Sequence, residues 1–223
     1  MNLSERVLAA LPQTQCTRCN YPDCAQYAQA IARGEAPINQ CPPGGQEGVA
    51  RLAAITGQLE TPLNPLNGTE SPRHVAWIDE NWCIGCTLCI DACPTDAIFG
   101  SNKRMHSVIE IHCTGCELCL PVCPVDCIEM ENISGHLTGW LAWSPAQATH
   151  ASQRYEQHQQ RLASKKTAQL QRQVAQAESK LDDIDGLTHS DPSDPSDHDR
   201  KRAIVQAALM RAQSLLKKNQ PVE

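Results

Sequence analysis

Cys83, Cys86, Cys89 and Cys93 fall within the twelve residues CIGCTLCIDACP, and Cys113, Cys116, Cys119 and Cys123 repeat the arrangement in CTGCELCLPVCP. Both runs read C-x2-C-x2-C-x3-C-P. Three thiolates two residues apart let a short loop wrap one face of a metal-sulfide cube, and in paired bacterial runs of this form the fourth cysteine ligates the other cluster. The spacing therefore predicts two 4Fe-4S clusters with crossed ligation. One uses Cys83, Cys86, Cys89 and Cys123; the other uses Cys113, Cys116, Cys119 and Cys93. Pro94 and Pro124 redirect the chain towards the neighbouring half. Gly85 and Gly115 are expected to permit close approach of backbone to inorganic sulfur. Ile84, Leu88, Ile90, Ile98, Ile111, Leu118, Leu120, Val122, Val125 and Ile128 lie in and around the runs and predict an apolar jacket that tunes the potential.

The two runs are an internal repeat with a period of 30 residues, which lays CPTDAI over CPVDCI. Cys127 thus takes the slot of Ala97, a small apolar position, and is expected to be a buried filler and no ligand. Asp96 and Asp126 also match and would fix the turn after each proline.

A third set, Cys16, Cys19, Cys24 and Cys41, has the spacing C-x2-C-x4-C-x16-C and ends in CPPGG. Spacing alone leaves two chemistries open here, a further iron-sulfur cluster or a structural zinc ion. Zinc ribbons usually present two two-residue knuckles, and this pattern has one.

These sets account for twelve of thirteen cysteines in 223 residues. An odd count argues against full disulfide pairing. MNLSERVLAALPQ has an early Glu and only a short apolar run, so it does not read as a signal peptide. No window of about 18 apolar residues offers a membrane span. The expectation is a cytoplasmic protein whose cysteines serve as ligands. One Phe, three Tyr and four Trp leave little for a large aromatic core.

The elements that must position the cysteines give an α+β reading. Residues 1–57 form a small helical domain, with a leading helix ended by Pro12, a helix from Pro22 to Ala32 carrying Cys24, and another from Gln46 to Ile55. Residues 58–73, rich in Pro, Asn and Gly, read as a linker. Residues 74–143 form a ferredoxin-like unit with HVAWID, HSVIEI and GHLTGWLAW as short strands, around which Trp77, Trp82, Trp140 and Trp143 gather. Residues 144–223 form a helical tail. Its first part is Ala- and Gln-rich and favours one long helix, a stretch near 186–199 reads as disordered, and RKRAIVQAALMRAQSLLKK is amphipathic with Ile204, Ala208, Leu209, Ala212 and Leu216 near one face.

Charge divides the same way. Residues 1–143 carry seven basic and fifteen acidic side chains, net −8, and residues 144–223 carry twelve and ten, net +2, which together make the −6 of the chain. Clusters held by four thiolates add further negative charge. Nucleic acid is excluded as a partner of the acidic part, whereas basic patches on redox proteins would be steered towards it. The basic final helix could touch an acidic partner or membrane surface, although a solvated face explains it as well. There is no C-x3-C-x2-C triad and no Gly-rich phosphate loop, and each predicted cluster has a cysteine as its fourth ligand, so no open iron site is expected. The residues describe an electron carrier with no catalytic site of its own.

LAALPQTQCTRCNYPDCAQYAQAIARGEAPINQCPPGGQEGVARLAAITG, followed by the double run, resembles the B subunit of the Rnf-type (Rsx) electron-transport complex over roughly residues 3–143. The resemblance implies that Cys16, Cys19, Cys24 and Cys41 hold a 4Fe-4S cluster, making three such clusters. It implies other subunits of an Rnf-type complex as partners, membrane contact only through them, and a place on the inner face of the cell membrane. Members commonly begin with a hydrophobic anchor, whereas this sequence starts almost directly at the cluster domain. The alternative reading is a freestanding soluble polyferredoxin that serves a cytoplasmic reductase or maturation system. A redox sensor has less support, because no DNA-binding motif is visible.

Overall fold

A computed structural model describes residues 1–183 and 195–218. It is mixed α+β, and residues 1–158 form one compact unit while residues 159–223 form a second.

The first unit opens with helix α1 (Leu3–Ala10), started by a reciprocal capping box between Asn2 and Glu5. Helix α2 (Cys24–Ala32) starts where the Asp23 carboxylate accepts a 2.7 Å hydrogen bond from Gln26 N–H. Helix α3 (Gly45–Thr56) ends at Gly57, whose φ of 74° suits a left-handed cap. These three helices enclose a core of Val7, Leu11, Tyr27, Ile31, Val49 and Leu52. Tyr27 is 1% exposed; its hydroxyl donates to the Pro37 carbonyl at 2.8 Å and accepts from Gln40 N–H at 3.1 Å, fixing the loop that leads to Cys41.

Residues 58–73 have no long element, but they are tied down, in contrast to the linker expected from their composition. Asn67 is buried and its amide donates to the Arg18 carbonyl at 2.8 Å. The Glu70 carboxylate accepts from Gln46 N–H at 2.9 Å and from the Thr138 hydroxyl at 2.6 Å. Polar side chains that reach back to both neighbours turn a compositional linker into a seam.

Beyond it lie two antiparallel ribbons. Strand β1 (His74–Ile78) pairs with β4 (Ile128–Asn132), from His74 opposite Asn132 to Ile78 opposite Ile128. The short strands β2 (Ile98–Phe99) and β3 (Ser107–Val108) pair Ile98 with Val108. One turn of helix, α4 (Leu88–Ala92), carries Cys89. The HSVIEI segment is a strand only at its start and becomes a 3-10 turn over Glu110–His112. The expected closing strand in GHLTGWLAW is instead a short helix, α5 (Gly139–Ala142). Here Gly139 has a φ of +50° and a Cβ on it would meet Glu70 Oε1 at 2.9 Å, so the chain turns onto the helical domain.

The tryptophans divide accordingly. Trp140 and Trp143 are buried, with Arg51 stacked over the Trp140 ring at 4.1 Å and the Trp143 indole N–H donating to the Pro12 carbonyl at 2.8 Å. Trp77 and Trp82 are 50% and 68% exposed, so the four do not gather around the strands.

Helix α6 (Pro145–Asp182) begins with Ser144 and Gln147 bonded to each other across the first turn. Its first turns belong to the compact unit: Arg154 donates to the Thr95 and Asp96 carbonyls at 3.0 and 3.3 Å, His158 meets the Asp96 carboxylate at 2.7 Å, and the Tyr155 hydroxyl meets that of Asp23 at 3.2 Å.

In the second unit, the later part of α6 and helix α7 (Pro195–Lys218) share a groove lined by Ala177, Val205, Ala208 and Ala212. The stretch expected to be disordered overlaps α7 from Pro195 onward; its residues up to 194 lie outside the described residues. The covered stripe of α7 is Val205, Leu209, Ala212 and Leu216, whereas Ile204 is 60% exposed. Leu209, Ala212 and Leu216 of the expected stripe are covered, and Val205, one turn before Leu209, takes the place that Ile204 was expected to lead. Among the described residues no helix is long and apolar enough to cross a membrane.

Candidate functional site

The cysteines of the double run divide between two cavities. Cys93, Cys113, Cys116 and Cys119 line one, with Ala76 and Met130. Cys83, Cys86, Cys89 and Cys123 line the other, with His106 and Cys127. Each cavity thus takes three cysteines from one run and the fourth from the other. The fourth cysteine follows a turn of helix or a tight loop that points the chain across the unit, and the prolines after it prevent that helix from continuing.

The two halves are built alike. Thr87 and Glu117 have φ of 68° and 63°, Asp96 and Asp126 have 51° and 49°, and Gly85 and Gly115 both have 69°. Asp96 and Asp126 therefore occupy the left-handed turn that follows each proline. The glycines also meet a constraint that their spacing did not record. A Cβ on Gly85 would meet Arg104 N at 2.4 Å, and one on Gly115 would meet the His74 carbonyl oxygen at 2.4 Å. The crowding comes from a crossing backbone segment, which no local motif records.

Backbone N–H groups point at the sulfurs. Ala76 N–H donates to Cys113 Sγ at 3.4 Å and Ala97 N–H to Cys93 Sγ at 3.2 Å. Burial pushes the thiols of Cys116 and Cys119 up to about 12 and that of Cys89 to about 11, with neighbouring thiols adding to the rise. Cys123 moves the other way. Burial raises it, but N–H groups of Val125 and Cys127 and the Cys127 thiol outweigh that and leave it below its ordinary value. Cys127 is buried, as its place over Ala97 implied, yet its Sγ lies 3.6 Å from Cys123 Sγ and in the same cavity. The jacket is one-sided: Ile98 and Ile128 are buried, whereas Ile84, Leu88 and Ile111 are 57%, 47% and 75% exposed, because the cysteine loops lie at the surface.

Cys16, Cys19, Cys24 and Cys41 meet in the helical part. Cys16 and Cys19 lie on the loop after α1, Cys24 is the first residue of α2, and Cys41 precedes a 3-10 turn, Pro42–Gly44. In that loop Gln13, Gln15, Thr17 and Asn20 all have positive φ, between 54° and 66°. The Gln15 amide oxygen accepts from Cys24 N–H at 3.0 Å, which joins the loop to the helix start. Burial pushes the Cys24 thiol up to about 12 and the Cys41 thiol well above its ordinary value, and the neighbouring thiols of this set contribute to both. Buried thiols raised in this way are poor places for uncompensated thiolates. A cationic iron core deprotonates and balances them, so the donor set fits such a group.

The helical set and the double run touch at one edge. The Thr114 hydroxyl donates to the Thr14 carbonyl at 2.9 Å, and Arg18 pairs with Glu117 at 2.7 Å. Thr114 and Glu117 line the cavity of Cys113, Cys116, Cys119 and Cys93, which therefore borders the helical set, and neither contact involves a residue that lines the other cavity. Sequence reasoning missed these contacts, and it missed His106, whose ring stands against Cys89.

Comparison with known proteins finds two family matches, over the segments that carry these cysteines. Residues 76–130 match the family described as a 4Fe-4S dicluster domain, and residues 11–43 match one described as a putative Fe-S cluster. The B subunit of the ion-translocating oxidoreductase complex of Pseudomonas paraeruginosa is 54% identical over 144 residues, which cover 64% of this chain and 74% of that protein. Its counterpart in Sodalis glossinidius is 52% identical over 141 residues, covering 62% and 72%. The chain belongs to this B-subunit family. The Azoarcus sp. member is 59% identical over 108 residues, which cover 48% of this chain and 59% of its own, so the chain spans less than two thirds of that relative's length. No solved structure matches.

Proposed function

We propose that this chain relays single electrons through three 4Fe-4S clusters as the B subunit of an Rnf-type ion-translocating complex. Cys16, Cys19, Cys24 and Cys41 hold the first. Cys113, Cys116, Cys119 and Cys93 hold the second, and Cys83, Cys86, Cys89 and Cys123 the third. When bound, such a group accepts and returns one electron at a potential set by hydrogen bonds to its sulfurs, net charge and burial.

The observation that carries this reading is the division of the double run into two crossed cavities, each with four thiols. What the chain itself supplies follows from the geometry. Ala76 and Ala97 direct N–H groups at the sulfurs of Cys113 and Cys93. Ile98 and Ile128 keep water from the inner side, and Thr114 and Arg18 hold the helical set against the nearer cavity. That edge supports an order of relay in which the second site stands between the other two. The net charge of −8 over residues 1–143 would be met by basic surfaces on the other subunits. Through them the chain would sit peripherally on the inner face of the membrane.

The deciding experiment is anaerobic metal and sulfide analysis. About twelve iron and about twelve acid-labile sulfides per chain are expected, four of each per cluster. Stoichiometric zinc with about eight iron would refute the assignment of the helical set.

A further inference from the structure

The period of 30 residues places Cys83 over Cys113, and it also places Ala76 over His106. Both positions face their cavities, Ala76 that of Cys93 and Cys113, and His106 that of Cys83 and Cys89. Most of the donors to sulfur are matched between the halves: Ala97 N–H points at Cys93 Sγ, and Cys127 N–H at the sulfur of Cys123. The histidine is not matched. It is 1% exposed, its Nδ1 lies 3.3 Å from Cys89 Sγ, and its Nε2 is buried without a partner. Gly100 makes room for it, since a Cβ there would meet His106 Cδ2 at 2.3 Å. Thr95 offers no substitute in the other half, because its hydroxyl donates to the His112 carbonyl at 2.8 Å and stands 3.9 Å from Cys93 Sγ.

We propose that His106 donates Nδ1–H to the Cys89 thiolate and thereby sets the potential of the cluster held by Cys83, Cys86, Cys89 and Cys123, apart from its near twin. The proposal rests on the cluster assignment made above. A metal-bound thiolate only accepts, so the proton of the neutral ring belongs on Nδ1. That tautomer leaves Nε2 as a bare acceptor, whereas the other would bury an unpaired N–H and set two lone pairs face to face. Reduction adds negative charge to the cluster and its sulfurs, so the donor interacts more strongly with the reduced form. In a buried site this raises the potential. His106 is a positioning residue for charge and takes no electron itself.

The experiment compares wild-type protein with His106→Ala and His106→Gln by iron analysis and by EPR-monitored redox titration. In wild-type protein the iron count tests the cluster assignment, independently of His106. In His106→Ala the equilibrium constant for reducing one cluster of the pair should fall about tenfold, about 59 mV for one electron, while the other cluster stays in place. His106→Gln, whose amide offers an N–H, should recover part of the shift. Labelling histidine with nitrogen-15 gives a reading without mutation, because pulsed EPR of reduced wild-type protein should show a nitrogen coupling that His106→Gln lacks. Full iron with neither cluster shifted, both shifted equally, or no histidine coupling would overturn the proposal.

Discussion

Two double variants decide how the thiols are shared. Cys93 and Cys113 line one cavity, whereas Cys89 lines the other. If each cavity holds one cluster, Cys93→Ala combined with Cys113→Ala damages a single site twice and should cost about four iron per chain. Cys93→Ala combined with Cys89→Ala damages both sites and should cost about eight. Sequence distance argues the other way: Cys89 and Cys93 share a run, so uncrossed ligation reverses the two numbers. Mutations that remove one shared interaction are non-additive, and those at separate sites add. The assay is iron and sulfide analysis under strict anaerobiosis, with EPR of the reduced protein to count the remaining spins. A loss of about eight iron from the Cys93 and Cys113 pair, with about four from the Cys93 and Cys89 pair, would refute the crossing.

Three further outcomes are expected. Gly115→Ala places a methyl 2.4 Å from the His74 carbonyl oxygen at a φ of +69°, so it should destabilise by about 3 kcal/mol or more and cost the cluster at Cys113, read by thermal unfolding and iron content. Cys127→Ala should keep full iron at a cost of about 1 kcal/mol or less, because alanine fills the matching slot at position 97; loss of about four iron would make Cys127 a ligand. In the iron-free protein, Cys24, Cys116 and Cys119 titrate near 12 against an ordinary 9, so the unfolded chain releases these protons first. The stability from these protonated thiols is fully present below pH 9 and is lost as pH rises towards 12, which denaturant midpoints at stepped pH would show; a flat profile would count against their burial.

What could be read in the sequence was what short spacing encodes. The two runs, their 30-residue period and the slot of Cys127 all follow from residues near one another in the chain. Helices α1, α2 and α3 were legible for the same reason, since the expected ranges, one ended by Pro12, one from Pro22 to Ala32 and one from Gln46 to Ile55, fall within about two residues of the observed ends. Strand β4 was not, because it is defined by its pairing with β1, fifty residues earlier, and IEMEN alone carries a weak signal. The closing strand failed at Gly139, which takes a φ of +50° at the start of a short helix whose N-cap, Thr138, bonds the remote Glu70. The backbone that crowds Gly85 and Gly115 was not legible, because Arg104 and His74 are remote in sequence. His106 was invisible for the same reason, although the 30-residue repeat pairs it with Ala76.

The first turns of α6 bear on where this protein divides. Composition draws a border at residue 143, but Tyr155 reaches the carboxylate that caps the helix starting at Cys24, and Arg154 and His158 fasten to the turn just after Cys93. One rod is thus riveted to both halves at points only a few atoms from candidate ligands. A fragment cut at the compositional border would keep every such cysteine and lose the splint that registers one half against the other. The compact unit itself runs on to His158, fifteen residues past that border.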